Sequence, residues 1–143
     1  MGKKRIISKG EEAGAEESKS HVQAVSKKKA EVGILHVQST YNNTKVTLSD
    51  LRGNTLAWSS SGSLSFKGAK KGTPFAAAKV GEVVGDRAQT IGIQDVHVVV
   101  KGVGSGRESS IRGFVSKGFN ILSIVDRTPV PFNGPKSKKP RRV

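Results

Sequence analysis

The feature that most constrains the fold is a run of valines near the middle of the chain. The stretch Asp95–Lys101 reads DVHVVVK and holds four valines in seven residues. Apolar residues at consecutive positions are typical of strands that are covered on both faces, as in α/β proteins. The run therefore predicts a buried strand, and it favours an α/β domain over an all-helical one.

Three further strands are predicted before this one. Ile34–Thr40 and Lys45–Ser49 alternate apolar and polar residues with the period of two that strands show, and Thr55–Ser60 follows as a third strand. Tyr41–Asn43 and Asp50–Asn54 supply the residues that favour turns between them. The pattern predicts an antiparallel meander.

Two helices and a last strand complete the expected domain. Thr73–Pro74 predicts a helix start, with a capping hydroxyl followed by a proline at the first helical position, and this helix is expected to run to about Gln89. A shorter helix is predicted at Ser109–Lys117, ended by Gly118, with a strand at Phe119–Asp126. Three strands followed by helix, strand, helix and strand predict a three-layer α/β domain with a mixed five-stranded sheet.

Both ends of the chain differ from this domain. Residues 1–33 carry eight Lys or Arg and five Glu, with too few apolar positions to offset the entropy of ordering. Residues 133–143 carry five basic residues and no acid, and two prolines there block regular structure. We expect a flexible charged extension at 1–33, a single domain at 34–132 and a basic tail at 133–143.

The charge of the chain points to a polyanionic partner. The formal net charge is +14 and the sequence pI is near 10.4. Lys and Arg that neutralise phosphates release condensed counterions, so nucleic acid is the expected partner. A membrane is not expected, because the sequence lacks both a Lys-rich amphipathic helix and an apolar run of about 18 residues. The basic N-terminus is not followed by the apolar segment of a secretory signal, which favours a reducing aqueous compartment.

Catalytic and metal chemistry find little support in the sequence. Cysteine is absent, which excludes disulfides and thiolate sites, and the three histidines, His21, His36 and His97, are scattered, whereas a metal needs converging donors. The acids of the predicted domain do not pair at a spacing that suits two-metal chemistry, and no nucleophile elbow is present. We expect no enzymatic activity, no metal and no cofactor.

Two segments combine glycine with basic residues. Lys67–Thr73 reads KGAKKGT, and Lys101–Ser110 reads KGVGSGRESS between a predicted strand and a predicted helix. Glycine lets backbone N–H groups approach an anion, and a helix N-terminus adds the positive end of its dipole, so phosphate suits such loops. Two other interpretations stay open: the lysines can be a solvated charge run, and the glycines can merely turn the chain.

A dinucleotide site is the sharpest alternative for the second segment, since Asp126 ends the next strand about 20 residues on, as a ribose-binding acid would. The glycines fall as GxGxG, however, and Arg107 and Glu108 stand where that fingerprint expects small residues. A nucleotide-dependent enzyme and a free-standing nucleic-acid or chromatin-type binder are the two rival function classes that remain.

Four motifs in unbroken order resemble the S-eleven family of small-subunit ribosomal proteins. They are Tyr41–Thr44 (YNNT), Phe66–Ala77 (FKGAKKGTPFAA), Lys101–Phe114 (KGVGSGRESSIRGF) and Asp126–Gly134 (DRTPVPFNG), followed by the basic tail. The resemblance covers about residues 33 to 143. It implies a ribonuclease-H-like topology without the catalytic acids, and a structural role in the small ribosomal subunit.

The resemblance also implies partners and a site. The family binds small-subunit ribosomal RNA on the platform, near the messenger RNA exit path and beside proteins S-seven, S-eighteen and S-six, and it supports assembly and translation in the cytoplasm rather than in organelles. Carried onto this sequence, its RNA-contacting residues are Asn42, Asn43, Lys67, Lys70, Lys71, Thr73, Gly102, Gly104, Gly106, Arg107, Arg112, Asn133, Gly134, Lys136, Lys138, Lys139, Arg141 and Arg142.

Overall fold

The computed structural model describes residues 32–140, in which five strands and two α-helices follow one another along the chain. In order they are β1 (Val32–Ser39), β2 (Thr44–Ser49), β3 (Thr55–Ser60), a short 3₁₀ helix (Gly68–Gly72), α1 (Pro74–Ile91), β4 (Asp95–Lys101), α2 (Gly106–Val115) and β5 (Asn120–Asp126). Most of the expected N-terminal extension and the last three residues lie outside the described residues.

The strands form one mixed sheet in the order β3-β2-β1-β4-β5. β2 is antiparallel to both of its neighbours, whereas β1, β4 and β5 pair in parallel. In this register Leu35 of β1 lies between Leu48 of β2 and Val98 of β4, so apolar side chains of adjacent strands meet on one face. The predicted mixed five-stranded α/β sheet is confirmed, and its strand order is compatible with a ribonuclease-H-like topology.

Both helices pack on the same face of the sheet. α1 contacts β2 and β3, α2 contacts β1 and β2, and the two helices contact each other. The connections from β3 to β4 and from β4 to β5 advance in the same direction across the sheet, and right-handed crossovers then place both helices on one side. The predicted third layer is therefore wrong for residues 32–140, which form two layers.

The valine run explains this error. Val96, Val98 and Val100 are buried beneath the helices, but His97 and Val99 point to the other face and are only partly buried. The strand thus alternates between a covered and an open face, as strands with one packed face do. Consecutive valines do not prove that both faces are covered.

The core lies between the sheet and the helices. Leu35, Leu48 and Val98 from the sheet meet Val84 of α1 and Phe114 of α2, all of them fully buried. The Phe114 ring stacks on that of Phe119, with centroids 4.3 Å apart, and this contact joins α2 to the start of β5. Burial of these side chains is the main force that seats the helices on the sheet.

Helix ends follow the local signals in most cases. Thr73 caps α1 by accepting a hydrogen bond from the Ala76 N–H, with Pro74 at the first helical position as predicted. Gly118, beyond α2, has a φ of 91°, a left-handed conformation that favours glycine, and its N–H donates to the Val115 carbonyl. Neither α-helix among the described residues combines the length and apolar character that crossing a membrane requires.

Two elements begin at least two residues earlier than predicted, and several other bounds differ by one or two residues. β1 begins at Val32 rather than Ile34, and α2 begins at Gly106 rather than Ser109. Gly106 thus belongs to the helix and not to the preceding turn. A Cβ at this position would overlap the Thr44 hydroxyl, so the glycine permits close packing of the helix start on β2.

Candidate nucleic-acid interface

The predicted site residues converge at one end of the sheet. β1, β3, β4 and β5 run in the same direction, so their carboxyl ends lie together, and β2 begins there. The Thr40–Asn43 turn, the Lys67–Thr73 loop, the Lys101–Ser105 loop and the chain after Asp126 all leave the sheet at this end. Open α/β sheets bind ligands outside the carboxyl ends of their strands. We call this region the carboxyl-end surface.

The Lys67–Thr73 loop presents cations at this surface. Lys67 and Lys70 are exposed and Lys71 is half-buried. The Thr73 hydroxyl donates to the Lys70 carbonyl at 2.7 Å while it caps α1, so it fixes the loop to the helix start. The positive end of the α1 dipole adds to the charge of the lysines. The loop therefore has a defined shape and not only a charge.

The Lys67–Thr73 loop sits directly on the turn between β1 and β2. A Cβ on Gly72 would overlap the Tyr41 carbonyl, so the two backbones are in contact. The Ser105 hydroxyl donates to the Gly72 carbonyl at 2.9 Å and ties in the glycine loop as well. All three loops are thus in direct contact, through backbone groups and the Ser105 hydroxyl.

The glycines of the Lys101–Ser105 loop pack against the end of β1. A Cβ on Gly102 would overlap the Ser39 carbonyl, and one on Gly104 would overlap the Thr40 carbonyl. The Gly104 N–H donates to the Ser39 carbonyl at 3.0 Å, and the Gly102 N–H donates to the Thr128 hydroxyl at 3.2 Å. Two N–H groups that could hold a phosphate are thus already paired, which favours a packing role for these glycines.

Arg107 is directed into the protein rather than toward solvent. Its guanidinium donates to the Gly102 carbonyl at 2.5 Å and forms an ion pair with the Asp126 carboxylate. The Thr128 hydroxyl and N–H also donate to that carboxylate, at 2.6 and 2.8 Å. Hydrogen bonds from Thr128, together with Arg107, lower the pKa of Asp126 to about 2.

The hydrogen bonds that Asp126 already accepts argue against the dinucleotide site. Asp126 would have to accept hydrogen bonds from a ribose, but its oxygens already accept from Arg107 and Thr128. Within residues 32–140, no group of three or more His, Asp or Glu side chains is arranged to hold a metal ion. The contacts of Asp126 thus count against a ribose at this position.

The Thr40–Asn43 turn contributes amide groups. Asn42 is exposed, and the Asn43 N–H donates to the Thr40 hydroxyl at 3.2 Å, which closes the turn. The side-chain oxygen of Asn43 is buried and finds no hydrogen-bond partner within residues 32–140. An unpaired buried acceptor is costly, but this oxygen is not accessible from outside, so the exposed Asn42 is the amide that the turn offers to a partner.

Arg112 and the tail lie apart from the three loops. Arg112 is on the outer face of α2, where it pairs with Glu108 at 2.5 Å, and both side chains are exposed. Every residue from 129 to 140 is exposed, and no helix or strand forms there, so Asn133, Gly134, Lys136, Lys138 and Lys139 face solvent. Arg141 and Arg142 lie outside the described residues.

Comparison with known proteins identifies the family. The sequence model described as "Ribosomal protein S11" matches residues 33–142. The chain belongs to the ribosomal protein S11 family. It is similar to the "Small ribosomal subunit protein uS11" of two strains of Treponema pallidum, one of them strain Nichols, with 50% identity over 125 residues in each case, covering 84% of this chain and 99% of each relative.

The predicted resemblance to the S-eleven family is thus confirmed. The matched region begins at the second residue of β1 and extends through most of the basic tail. As a member of a ribosomal protein family, the chain is a structural protein and not an enzyme. Residues 1–32 precede the match.

The structure adds residues to the carboxyl-end surface of this S11-family chain that the sequence reasoning missed. Lys101 ends β4 and Arg127 follows β5, and both are exposed. Their position directly at the ends of parallel strands is the signal that could have identified them. Burial and then the charges of Lys101 and Arg127 lower the pKa of His36, so a positive potential reaches β1.

Two aromatic side chains at the same surface were also missed. Tyr41 in the first turn is 79% exposed, and Phe75 in the first turn of α1 is 66% exposed. The Phe75 ring meets that of Phe66 edge-on, with centroids 6.1 Å apart. Exposed aromatic rings beside cations are suited to stacking on unpaired bases.

Proposed function

We propose that this chain is a structural constituent of the small ribosomal subunit that binds small-subunit ribosomal RNA through its carboxyl-end surface and its basic tail. The observation that carries the proposal is the convergence of the Lys67–Thr73 loop, the Thr40–Asn43 turn, Lys101, Arg127 and the tail at one end of the sheet. Membership of a ribosomal protein family supports it. In cytoplasmic ribosomes it would lie on the platform near the messenger RNA exit path, where it supports assembly and translation.

At the carboxyl-end surface, Lys67, Lys70 and Lys101 contact phosphates. Such contacts fix the position of a protein on a nucleic acid without reading its sequence. Because the three loops are in contact with one another, the backbone positions from which their cations project are fixed, which favours an RNA surface of matching shape. Shape therefore supplies the specificity, as is common for RNA recognition. In the Thr40–Asn43 turn, the exposed Asn42 presents its side-chain amide to the RNA.

The tail makes a second kind of contact. Every residue of its described part, 133–140, is exposed, and Lys136, Lys138 and Lys139 stand among glycine, proline and serine. A chain of this kind fits between RNA helices, where phosphates on both sides neutralise its charge and order it. We assign Lys136, Lys138, Lys139, Arg141 and Arg142 to this contact.

Protein neighbours complete the assignment. The family resemblance favours S-seven, S-eighteen and S-six as these neighbours. β5 is an edge strand that exposes Leu122, Ile124 and Val125 and has no Lys or Arg between Asn120 and Asp126. In a chain of net charge +14, a surface without cations suits a protein contact better than a phosphate contact.

Sedimentation of cell extract tests the proposal. The chain is expected to travel with the small subunit, and replacement of Lys138, Lys139, Arg141 and Arg142 by Glu is expected to lower its incorporation. The matched control exchanges Lys for Arg and Arg for Lys at the same four positions, which preserves the charge. Sedimentation apart from subunits would contradict the ribosomal assignment, and unchanged incorporation of the Glu variant would contradict the tail contact.

A further inference from the structure

We infer that Arg107, Asp126 and Thr128 form a tail anchor that sets the place and direction in which the basic tail leaves the domain, so that Arg107 is a positioning residue and not a phosphate contact. The inference rests on the proposed function, because it concerns how the tail reaches RNA. It changes the role that the family resemblance implies for Arg107.

The tail anchor joins two segments that are far apart in the sequence. Arg107, at the start of α2, pairs with Asp126 at the end of β5 and donates to the Gly102 carbonyl in the glycine loop. Gly102 in turn donates its N–H to the Thr128 hydroxyl. A single guanidinium therefore holds the glycine loop and the end of β5 together. Arginine suits this place because its planar fork presents several donors at fixed angles.

Thr128 is the last residue that these contacts hold. Its hydroxyl and N–H donate to the Asp126 carboxylate, and the preceding Arg127 N–H donates to the Val100 carbonyl at 2.8 Å. From residue 129 onward every described residue is exposed. The next residue is Pro129, which restricts Thr128 to extended conformations and so stiffens the exit.

A fixed exit matters because the exposed segment that leads from Thr128 into the basic tail is long. The twelve residues from 129 to 140 could reach about 40 Å when extended, at about 3.3 Å per residue. A change of direction at Thr128 would move the lysines near the end of the tail by a large part of that length. A fixed starting point and direction raise the local concentration of the tail at its RNA target.

The charges also argue against a phosphate contact by Arg107. Its side chain is only about one-third exposed, and Asp126 neutralises it at close range. The low pKa of Asp126 keeps that carboxylate ionised at any physiological pH. Both side chains remain partly exposed, and an ion pair that water can reach adds little to folding. Its effect is therefore expected on tail placement rather than on stability.

The substitution Asp126→Asn in the full chain distinguishes the two roles of Arg107, because each role predicts a change of RNA affinity in the opposite direction. If Arg107 contacts phosphate, Asp126→Asn frees its guanidinium and removes a negative charge, so RNA binding tightens. If Arg107 is a positioning residue, the same substitution loosens the tail, and affinity for small-subunit ribosomal RNA falls about three- to tenfold. The slope of log affinity against log salt stays unchanged, whereas one added phosphate contact would steepen it by about 0.7 to 0.9.

Two further variants keep the test decisive. Thr128→Val removes the hydroxyl from the tail anchor without a change of charge and is expected to weaken binding, while Thr128→Ser restores it. In the background with Glu at Lys138, Lys139, Arg141 and Arg142, Asp126→Asn is expected to have no further effect, because the tail no longer contributes. Nuclear magnetic resonance relaxation of Val130 reports the loosening directly, and thermal melting confirms that each variant folds.

The outcomes distinguish the two proposals. If the wild-type chain fails to bind small-subunit ribosomal RNA, the proposed function is wrong. If it binds, but Asp126→Asn and Thr128→Val bind as tightly or more tightly, the tail anchor alone is wrong. Asp126→Asn could also lower the RNA affinity equally in the wild-type chain and in the chain with Glu at the four tail positions. That result would show that Arg107, Asp126 and Thr128 act on the domain and not through the tail.

Discussion

Gly81 of α1 lies so close to the carbonyl group of Ser110 in α2 that a Cβ atom on the glycine would overlap that oxygen. A second contact of the same kind lies nearby, where a Cβ on Gly113 of α2 would overlap the Ala78 carbonyl of α1. The two helices therefore cross in backbone contact. This crossing fixes the start of both helices relative to each other, and with them the loops of the carboxyl-end surface.

Gly81→Ala is therefore expected to destabilise the protein. Alanine favours a helix over glycine by about 1 kcal/mol, but overpacking costs about 1 to 3 kcal/mol. Because the obstacle is a backbone oxygen, the helices must separate. Urea denaturation should give a lower free energy of unfolding. Gly62→Ala is the control, since its Cβ would meet the nearest atom, Lys71 Cδ, at 3.9 Å. A Gly81→Ala variant as stable as wild type would contradict the crossing.

Gly104→Ala tests what the glycine loop does. Its Cβ would overlap the Thr40 carbonyl, so we expect a loss of about 1 to 3 kcal/mol in the free energy of unfolding. The measurement is the same denaturation experiment, combined with binding of small-subunit ribosomal RNA to the folded protein. Full stability with weakened RNA binding would instead support a phosphate-binding role for the loop.

The sequence predicted the elements of this fold better than the relations between them. Local signals sufficed for the strands Thr55–Ser60 and Asp95–Lys101 and for the capped start of α1. The number of layers could not be predicted from these local signals. Which face of a strand is covered depends on the side of the sheet on which the connecting helices pack. Val99 has the same side chain as Val98, and only the topology places it on the open face.

The candidate site shows the same limit. Lys67, Lys70 and Lys71 were found because a run of lysines between glycines is visible in one segment. The intramolecular partners of Arg107 were not predicted, because Asp126 lies 19 positions away in the sequence and comes close to Arg107 only after β4 and β5 pair. Charge is readable from sequence, but whether a charge is free or neutralised is a property of the fold.

The pKa of His36 should respond to the cations of the carboxyl-end surface. Burial first, and then the charges of Lys101 and Arg127, hold it below the ordinary value of 6.5. Because the folded-state pKa is the lower one, neutral His36 supports stability above pH 6.5, and this support is lost as the pH falls through the lowered pKa. Lys101→Met should raise the pKa in a nuclear magnetic resonance titration, whereas Arg52→Met, in the turn between β2 and β3, should leave it unchanged. No upward shift in Lys101→Met would contradict this electrostatic coupling.

Replacement of Lys67 and Lys70 by Gln should weaken RNA binding in a way that salt reveals. Each lysine that contacts a phosphate contributes about 0.7 to 0.9 to the slope of log affinity against log salt, so the double variant should lose about 1.4 to 1.8. Arg52→Gln is the control, because Arg52 is an exposed cation at the opposite end of the sheet, and its slope should match that of wild type. The variants should unfold at the same denaturant concentration as wild type, since Lys67 and Lys70 are exposed. If the double variant kept the full slope, the Lys67–Thr73 loop would be a solvated charge run, and the tail with Lys101 and Arg127 would have to carry the electrostatic contact alone.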